Sequence, residues 1–427
     1  MVTATIFTVF FGLIIIGVPV AISLSMGALV PLALFTNQPL TVIIQKFFTA
    51  VDSYALMAIP FFMIAGGLLE KGGVSKRLVN LANALVGWLP GGLAVVTILA
   101  SAFFGAISGS SAATVAAVGS IMLPAMIREG YPLRFSVATI ASAGFLGVVI
   151  PPSNPMVLYG LSGNVAVGEV FMGGFIPGIM LAAGMSIYAV YFGKKELKDV
   201  AIHKFSLNQL GSAMKDAAWA IMMPMIVLGG IYGGIFTPTE AAAVASLYGL
   251  IVGLFVYKEL NTRLVHQIFK GAVQTSAMIM FVVATATSFG YVMTLELIPK
   301  RIATAILSVA TTELRFWVLI TLLLFIVGCI MDTSPAILIL TPILLPIAKE
   351  FNISPVAFGV IMVINLGIGL ATPPVGLNLY VASSLAKTGI STVVNKHLFL
   401  YLGFAALVLI ILMAFPGLIL LLPNMMA

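Results

Sequence analysis

The chain has 427 residues, of which 61% are hydrophobic and only 8% are charged, and its formal net charge is +7. Soluble globular domains carry about 25% charged residues, so this composition excludes a soluble protein and predicts a single membrane domain over residues 1–427. The positive charge does not indicate a nucleic-acid-binding protein, because the basic residues stand in loops between apolar segments.

Stretches long enough to cross a bilayer recur along the whole chain. A membrane-spanning helix needs about 20 predominantly apolar residues. The first stretch lacks a basic start and is too long for a signal peptide, so it is predicted to be a retained span. The predicted full spans are, in chain order, 4–35, 50–70, 133–162, 167–192, 217–236, 239–257, 271–293, 354–386 and 398–422.

Two further apolar stretches, 91–127 and 316–350, are too long for one crossing. Each is interrupted near its middle by polar residues or proline. We predict that both are re-entrant helical hairpins, which enter and leave the membrane on the same side. Non-helical backbone at membrane depth is tolerated only where protein or a water-filled cavity surrounds it.

Lysine and arginine set the predicted orientation, because cytoplasmic loops are enriched in both. The segment 193–216 holds five lysines and the segment near 258–270 holds three further basic residues, with two spans between them. Both segments are predicted to be cytoplasmic, and residues 193–262 are predicted to comprise a cytoplasmic loop and linking scaffold helices. Counting spans from these loops predicts an N-terminus inside and a C-terminus outside the cell.

The chain contains an internal repeat. Leu123-Pro124 corresponds to Leu345-Pro346, since 345 − 123 = 222, and Pro151-Pro152 corresponds to Pro373-Pro374 at the same offset. The charge count gives the two copies opposite orientations, and inverted repeats with paired broken helices are typical of secondary transporters. Repeat 1 is predicted over 41–192, with a broken helix at 133–162, and repeat 2 over 263–422, with a broken helix at 354–386.

Each repeat is interrupted twice, once at its hairpin tip and once in its broken helix. The prolines remove backbone donors and free carbonyl oxygens, which suit Na⁺ together with hydroxyl groups. Helix N-termini at the same places suit a carboxylate. We therefore expect two cation sites related by a pseudo-two-fold axis, with an anionic substrate between them. The interruptions are SGSSAAT (108–114), PPSNP (151–155), MDTSPA (331–336) and TPPVGLN (372–378).

Some of these features have a purely structural alternative. Small residues let membrane helices pack closely, so SGSSAAT taken alone is also typical of a packing motif. Asp332 is the only charged residue between Arg315 and Lys349, and an intramembrane carboxylate is a functional candidate by default. It could bind a cation, orient a substrate group or carry a proton, or it could merely cap a hairpin helix. Glu240, in the sequence TPTE, is predicted to cap a helix and to bind no ion.

The chain resembles the large membrane subunit, the M or DctM type, of tripartite ATP-independent periplasmic (TRAP) transporters. The resemblance covers essentially the whole chain and rests on SGSSAATVAAVG, IPPSNPM, GCIMDTSPAILILTPILLPIA and ATPPVGLNLYV. It implies an all-α polytopic membrane protein that moves its cargo by an elevator motion and uses a Na⁺ gradient. The implied cargo is an acidic organic solute, of the sialic acid or C4-dicarboxylate class.

The resemblance also implies partners and a location. Na⁺ is the expected coupling ion, and no organic cofactor is expected. The expected protein partners are a small four-helix membrane subunit of the Q type, encoded as a separate polypeptide, and a periplasmic substrate-binding protein of the P type. The expected location is the lipid bilayer of a bacterial inner membrane, with a cytoplasmic N-terminus and a periplasmic C-terminus.

Carried over residue by residue, the resemblance gives three sets of residues and no catalytic residue. The first Na⁺ site is expected to involve Ser108, Ser111, Gly147, Val148 and Pro151. The second Na⁺ site is expected to involve Gly328, Met331, Gly369, Thr372 and Val375. The substrate site is expected to involve Ser111, Ser153, Asn154, Asp332 and Thr333.

Three other functions remain as alternatives. The first is a stand-alone Na⁺/dicarboxylate symporter of a related type, with similar hairpins and no partner proteins. A scaffold or an intramembrane enzyme is disfavoured, because the serines have no histidine or lysine base nearby in sequence and the single cysteine, Cys329, excludes a cysteine-based metal cluster. An ATP-driven permease is disfavoured by the hairpin repeats and by the lack of a nucleotide-binding P-loop motif.

Overall fold

The computed structural model describes residues 2–36, 38–197 and 205–425, and the regular elements in these ranges are helices. Nine of the described helices are long and apolar enough to cross a membrane, or up to ten if the bent pair Leu133–Val149 and Asn154–Gly163 forms one span. This confirms the all-α polytopic class. Lys198 and Lys204, which contributed to the predicted orientation, lie outside the described residues.

The described part of the chain forms 22 α-helices. Those of the first half are α1 (Val2–Ile15), α2 (Val20–Phe35), α3 (Thr41–Val51), α4 (Ala58–Lys71), α5 (Val74–Val86), α6 (Gly92–Ser108), α7 (Ser111–Arg128), α8 (Leu133–Ala143), α9 (Leu146–Val149), α10 (Asn154–Gly163) and α11 (Val167–Glu196). Those of the second half are α12 (Leu207–Tyr232), α13 (Pro238–Ile251), α14 (Thr262–Leu295), α15 (Ile298–Val309), α16 (Glu313–Ile330), α17 (Thr333–Glu350), α18 (Pro355–Leu370), α19 (Leu377–Ala386), α20 (Ile390–Val393), α21 (Lys396–Ala414) and α22 (Gly417–Asn424).

Helices of the two repeats begin at corresponding positions. Helix α7 begins at Ser111 and α17 at Thr333, and α8 begins at Leu133 and α18 at Pro355, so both pairs keep the offset found in the sequence. Helices α6 and α7 form the first hairpin, and α16 and α17 form the second. Helices α8 to α10 form the first broken helix, and α18 and α19 form the second. The structure therefore has two hairpins and two broken helices where the sequence predicts them.

The ends of each hairpin return to one another. At the base of the first hairpin, the backbone N–H of Leu93 donates to the Tyr131 hydroxyl at 3.3 Å. At the base of the second, the rings of Phe316 and Phe351 stack with their centroids 4.9 Å apart. Each helix pair is thus closed at its base and turns once at its tip.

The two hairpins open at opposite ends of the molecule. Helix α11 has 30 residues and is about 45 Å long, so its ends mark the two ends of the protein. A Cβ built on Gly91, at the base of the first hairpin, would lie 3.1 Å from the Cα of Gly193, near the C-terminal end of α11. A Cβ built on Gly173, near the N-terminal end of α11, would lie 3.3 Å from the Val356 side chain, just after the second hairpin. The repeats are therefore inverted.

Each hairpin packs backbone against backbone on the broken helix of its own repeat. A Cβ on Gly105 would lie 2.8 Å from the Cα of Gly147, and a Cβ on Gly328 would lie 3.2 Å from the Cα of Gly369. No side chain fits between these segments, so the contact requires glycine. Gly147 and Gly369 also correspond to each other in the two repeats.

The helices that precede the hairpins differ between the repeats. Helix α14 runs without interruption for 34 residues, which corresponds to about 51 Å. The corresponding segment of repeat 1 is broken at Asp52 and Ser53, followed by a single 3₁₀ turn, Tyr54–Met57, before α4 begins. Helix α14 thus forms a long, continuous wall beside the hairpins.

The start of α13 has the cap that the sequence predicts. The Thr237 hydroxyl accepts the Glu240 backbone N–H at 3.3 Å, and the Glu240 carboxylate accepts the Thr237 backbone N–H at 2.8 Å. This is a complete capping box, with Pro238 at the first helical position. Glu240 is therefore explained by its role at the helix terminus.

Basic residues concentrate at the end of the molecule where α11 finishes. At this end Arg77 Nη1 lies 2.7 Å from Glu259 Oε1, and the Trp88 ring packs against Phe205. Of the 20 Lys and Arg residues, two lie outside the described ranges, and 13 of the other 18 lie toward this end. The remaining five, toward the opposite end, are Lys46, Lys300, Arg301, Arg315 and Lys349.

The single first span predicted over 4–35 is wrong, because this segment is a pair of packed helices. Helix α1 ends at Ile15, and the chain reverses at Gly17, whose φ of +85° lies in the left-handed region that favours glycine. A Cβ on Gly27 in α2 would lie 3.3 Å from the Cβ of Phe10 in α1. Because the whole segment is apolar, its composition did not indicate this chain reversal.

The N-terminal helix pair changes the predicted position of the N-terminus. Arg301 Nη1 donates to Thr3 Oγ1 at 3.4 Å, near the C-terminal end of α14. Thr294, at that end of α14, lines the same cavity as Ser162, which lies just before α11. Ile419, close to the C-terminus, packs against the first turns of α11 at this same end. The predicted pair of a cytoplasmic N-terminus and a periplasmic C-terminus is therefore wrong, since both termini of the described chain lie at one end.

The glycine contact between hairpin and broken helix predicts a stability effect. A methyl group on Gly147 would lie 2.7 Å from the Ser110 carbonyl oxygen, so Gly147→Ala is expected to destabilise the protein by about 1–3 kcal/mol, as overpacking typically does. Gly403→Ala is the control, because the space around Gly403 in α21 is open. Equal melting temperatures of the Gly147→Ala variant and wild type in detergent would contradict this contact.

The positions of the termini predict a labelling pattern in intact cells. In a Cys329→Ala background, single cysteines at Ala4 and Asn424 are expected to react with a membrane-impermeant maleimide under the same conditions. A cysteine at Lys195 is expected to react only after the membrane is permeabilised, because Lys195 lies at the basic end. Opposite accessibility of positions 4 and 424 would contradict the arrangement of the termini.

Candidate substrate and cation site

The tip of the first hairpin is a cluster of hydroxyl and carbonyl oxygens. Helix α6 ends at Ser108, and Gly109 adopts a left-handed conformation with φ of +59°. Ser110 is the N-cap of α7, which begins at Ser111. The Ser108 and Thr114 hydroxyl oxygens lie 3.2 Å apart, and the Thr114 hydroxyl donates to the Ser110 carbonyl at 2.8 Å. Three oxygens from one tight turn therefore face one small volume.

The first broken helix supplies carbonyl oxygens to the same region. Pro151 and Pro152, joined by a cis peptide, have no N–H, so the carbonyls of Gly147 and Val148 lose their usual helical donors. The Ser153 hydroxyl donates to the Val148 carbonyl at 2.6 Å and also caps α10. The break is thus stabilised by the side chain of the N-cap residue of the next helix.

The first tip and the first break are in direct contact. A Cβ on Gly109 would lie 3.1 Å from both the backbone nitrogen of Asn154 and the carbonyl oxygen of Pro152. Of the residues predicted for the first Na⁺ site, the structure brings together Ser108 at the tip and Gly147, Val148 and Pro151 at the break. Thr114 belongs to this oxygen cluster but was missed, although its position one turn after Ser110 would have placed it on the same helix face.

Ser111, which was also predicted for the first Na⁺ site, faces the other repeat. Its hydroxyl donates to Asn378 Oδ1 at 2.9 Å, and Asn378 Nδ2 donates to the Ala141 carbonyl at 3.1 Å. Asn378 is fully buried, so both hydrogen bonds are shielded from solvent. These bonds join the first hairpin, the first broken helix and the second break into one body.

The second hairpin tip is joined to its own break in a similar way. The backbones of Gly328 and Gly369 are in contact, and the Gly376 N–H donates to the Cys329 carbonyl at 3.1 Å. Pro373 and Pro374 again remove the helical donors of the carbonyls four residues earlier, at Gly369 and Leu370.

The other three residues predicted for the second Na⁺ site lie around this junction. Met331 has an extended backbone between α16 and the hairpin tip. The buried Thr372 hydroxyl donates to the Ile368 carbonyl at 2.8 Å, and Val375 lies in the break itself, between Pro374 and Gly376. The structure thus places the whole predicted set at one junction.

A cavity of about 520 Å³ lies between the two tips. Four of the five predicted substrate residues line it, namely Ser111, Asn154, Asp332 and Thr333. Ser153 is not among the lining residues, because its side chain is turned to the Val148 carbonyl. The opposite wall is formed by α4 and α14 through Met63, Thr275, Met278, Ile279 and Val282. This wall was not predicted from the sequence, because its residues resemble those of any apolar span.

Four helix N-termini meet at this cavity. The first residues of α7, α10, α17 and α19 all line it, namely Ser111, Asn154, Thr333 and Leu377. Each N-terminus carries a partial positive charge of about half an elementary charge. The lining residues, all within the described part of the chain, include no Lys, Arg or His. An anion in this cavity would therefore be held by backbone N–H groups and helix dipoles.

Asp332 caps a helix and also lines the cavity. Its Oδ1 accepts the Ser334 backbone N–H at 2.9 Å and the Thr333 hydroxyl at 3.5 Å, which makes it the N-cap of α17. The residue is nevertheless exposed at the cavity surface. Capping is thus shown, and it is compatible with contact to a bound solute.

A model of the family described as "Tripartite ATP-independent periplasmic transporter, DctM component" matches residues 7–418. The chain is 47% identical over 377 residues to the isethionate TRAP transporter permease protein DctMQ of Oleidesulfovibrio alaskensis, which covers 88% of this chain but only 59% of that longer relative. It is 38% identical over 438 residues to the C4-dicarboxylate TRAP transporter large permease protein DctM of Rhodobacter capsulatus, which covers 99% of this chain and 98% of that protein.

Two solved structures share the fold. The YdaH transporter of Alcanivorax borkumensis superposes with a TM-score of 0.59 and 17% identity, over 89% of this chain and 88% of that one. MtrF of Neisseria gonorrhoeae superposes with a TM-score of 0.54 and 12% identity, over 89% and 83%. At these identities the likeness extends to the fold alone. The family model and the curated relatives cover nearly the whole sequence, and the chain therefore belongs to the DctM family of tripartite ATP-independent periplasmic transporter components.

Proposed function

We propose that this chain is the large membrane subunit of a Na⁺-coupled TRAP transporter that imports a small organic acid by an elevator motion. The observation that carries the proposal is the cavity in which four helix N-termini meet beside two tip-and-break junctions. The curated relatives are transporter permeases, which supports a transport function rather than an enzymatic one. Their names refer to isethionate, C4-dicarboxylates and 2,3-diketo-L-gulonate, which supports an organic acid as cargo. Sialic acid remains a prediction that these names do not test.

Cation binding is supported by the donor set at the first tip. Hydroxyl and carbonyl oxygens of Ser108, Ser110 and Thr114 converge there. They lie next to the Gly147 and Val148 carbonyls, which lose their helical donors at the double proline, and the Val148 carbonyl accepts the Ser153 hydroxyl instead. Neutral oxygens at unwound helices are the ligands that coordinate Na⁺ in secondary transporters. The described residues hold no group of three or more His, Cys, Asp or Glu that could bind a metal ion, so this site would suit a monovalent rather than a transition-metal ion.

An elevator motion is supported by the division of the protein into two bodies. Hydrogen bonds from Ser111 to Asn378, from Thr139 to Tyr401 and between Tyr188 and His397 join the first hairpin, the broken helices, α11 and α21. Hydrogen bonds from Thr239 to Tyr54, from Ser246 to Phe61 and from Ser288 to Ile43 join α3, α4, α13 and α14. Around the cavity, the face that the second body presents is largely apolar and is formed by Met63, Met278, Ile279 and Val282, which favours sliding of one body along the other.

The location and the partners follow from the family and from the charge distribution. We propose a bacterial inner membrane, with the basic end of the molecule in the cytoplasm and both termini of the described chain in the periplasm. We further propose a separate small four-helix membrane subunit and a periplasmic substrate-binding protein as partners. The long relative named DctMQ, of which this chain spans about three-fifths, supports a second membrane component beside this one.

Transport is expected to require a Na⁺ gradient. Proteoliposomes that contain this chain and its small subunit, supplied with the cognate binding protein, are expected to accumulate radiolabelled organic acid only when external Na⁺ exceeds internal Na⁺. Replacement of Na⁺ by K⁺ is expected to abolish accumulation, and omission of the binding protein is the control for a TRAP mechanism. Equal uptake in K⁺ would refute Na⁺ coupling, and full uptake without either partner would favour the stand-alone symporter.

The oxygen cluster at the first tip is expected to control Na⁺ affinity. Ser108→Ala and Thr114→Val each remove one hydroxyl ligand and are expected to raise the Na⁺ concentration for half-maximal uptake by about tenfold, the effect of losing roughly 1.4 kcal/mol of charge-assisted bonding. Ser120→Ala on the exposed face of α7 is the matched control. Unchanged Na⁺ dependence in both tip variants would place the cation elsewhere.

A further inference from the structure

We infer that Leu338 is a seal between two cavities, and that its loss would let Na⁺ cross the protein along α14 without a solute. The first is the cavity between the hairpin tips, here called the tip cavity. The second opens at the end of the molecule opposite the basic end. The inference rests on the proposed function, because it takes the tip cavity to be a place from which Na⁺ must not leak.

The second cavity, here called the outer crevice, has a volume of about 380 Å³ and lies between α3, α10, α14 and α17. Four hydroxyl side chains line it, namely Ser53, Ser162, Thr287 and Thr294. Thr287 and Thr294 are exposed, so the crevice opens toward the C-terminal end of α14. A polar space of this size has room for on the order of ten water molecules, and the crevice is therefore expected to be wet.

Three helices lead from the tip cavity to the outer crevice. Each contributes residues to both cavities, and all three run in the same direction away from the tips. The lining passes from Asn154 to Ser162 on α10, from Val282 to Ala286 on α14 and from Pro335 to Pro342 on α17. The two cavities are therefore successive segments of one space between these helices.

Leu338 lies where the two segments meet. It lines both cavities, one helical turn after Pro335 and one turn before Pro342, and it is only 8% exposed. The neighbouring helices are also apolar at this junction, where α10 contributes Leu158 to the crevice and α14 contributes Val282 to the tip cavity. An apolar constriction excludes water, and an ion that has neither water nor ligands crosses it only at high cost.

The tip cavity opens in the opposite direction. Thr275 and Met278 form its exposed rim on α14, where Met278 is 65% exposed, and both precede Val282 and so lie nearer the basic end. From Thr275 to Thr294, α14 lines the two cavities over about 28 Å, close to the ~30 Å thickness of a bilayer's hydrocarbon core. Without the seal, the joined cavities would cross the membrane.

The joined path would suit a cation. The residues that line the two cavities, all within the described part of the chain, include no Lys, Arg or His. Hydroxyl groups stand on both sides of Leu338, at Thr275 and Ser334 in the tip cavity and at Ser162 and Thr287 in the crevice. Na⁺ takes neutral oxygens of this kind as ligands. Leu338 is thus the residue that keeps Na⁺ movement coupled to solute movement.

The seal is tested by Na⁺ leak in the absence of solute. The complete chain with its small subunit is reconstituted into proteoliposomes that contain a Na⁺-sensitive dye, without binding protein or organic acid, and Na⁺ is added outside. Wild type is expected to show the Na⁺ influx of protein-free vesicles. Leu338→Ala is expected to raise this influx at least about tenfold, because it removes the apolar constriction. Carboxyfluorescein trapped in the same vesicles is expected to stay inside, which shows that the membranes are intact.

Three further variants control the experiment. Leu338→Asn keeps nearly the same side-chain volume but is polar, so it is also expected to leak, and a folding defect in one leaking variant leaves the other to decide. Leu338→Met is expected to stay sealed, because exchange of Leu and Met nearly conserves volume. Ile339→Ala is the matched control, since it shortens the next side chain of α17, which lines neither cavity.

The outcomes separate the seal from the proposed function. Wild-type Na⁺ influx in both Leu338→Ala and Leu338→Asn, or an equal leak in Ile339→Ala, would overturn the inference. The proposed function is judged by a different measurement, namely Na⁺-driven uptake by wild type with its binding protein. If that uptake is present and both leak variants stay tight, the seal alone is rejected. If the variants leak but wild-type uptake needs no Na⁺, the seal stands and Na⁺ coupling is rejected.

Discussion

Backbone that leaves the helical conformation inside a membrane must find its partners within the protein, because lipid offers none. This chain leaves it at two hairpin tips and two double prolines, and each tip is pressed onto the break of its own repeat. Gly109 against Pro152 and Asn154, and Gly328 against Gly369, are contacts that exclude any side chain. The polar groups of the tips, the cavity between them and the helix N-termini that line it all depend on these two contacts.

The repeats are alike in geometry and unlike in charge. Their helices start at matching positions and their glycine contacts recur, yet one tip is capped by Ser110 and the other by Asp332. A symmetric pair of helix N-termini alone would hold an anion equally well on either side. The single carboxylate makes the cavity asymmetric, with the N-terminus of α7 and its neutral cap on one side and the negatively charged Asp332 on the other. The duplicated fold thus supplies the site, and one substitution between the copies gives it polarity.

The sequence predicted those parts of the fold that depend on local chemistry. Double prolines, tips rich in small residues and a constant offset of 222 located both hairpins and both broken helices. The reversal at Gly17 was missed, because glycine and proline in an apolar run are equally compatible with a kinked span and a turn. The bond from Ser111 to Asn378 joins residues far apart in the chain, and the wall formed by α14 has no distinctive residue. These features depend on tertiary packing that a single sequence does not encode locally.

In each repeat, the helix that follows the hairpin tip and the segment that leads to the double proline have nearly the same length. From the first tip, α7 runs for 18 residues to the base of the hairpin. The segment Leu133–Val149 runs back for nearly the same number of residues to the double proline. The second copy repeats these proportions with α17 and α18. Two legs of equal length return the chain to the depth from which it started, which is why tip and break meet. One additional helical turn in either leg would separate them by about 5.4 Å. Lengthening the loop at the base of a hairpin leaves this match intact, whereas lengthening either helical leg breaks it.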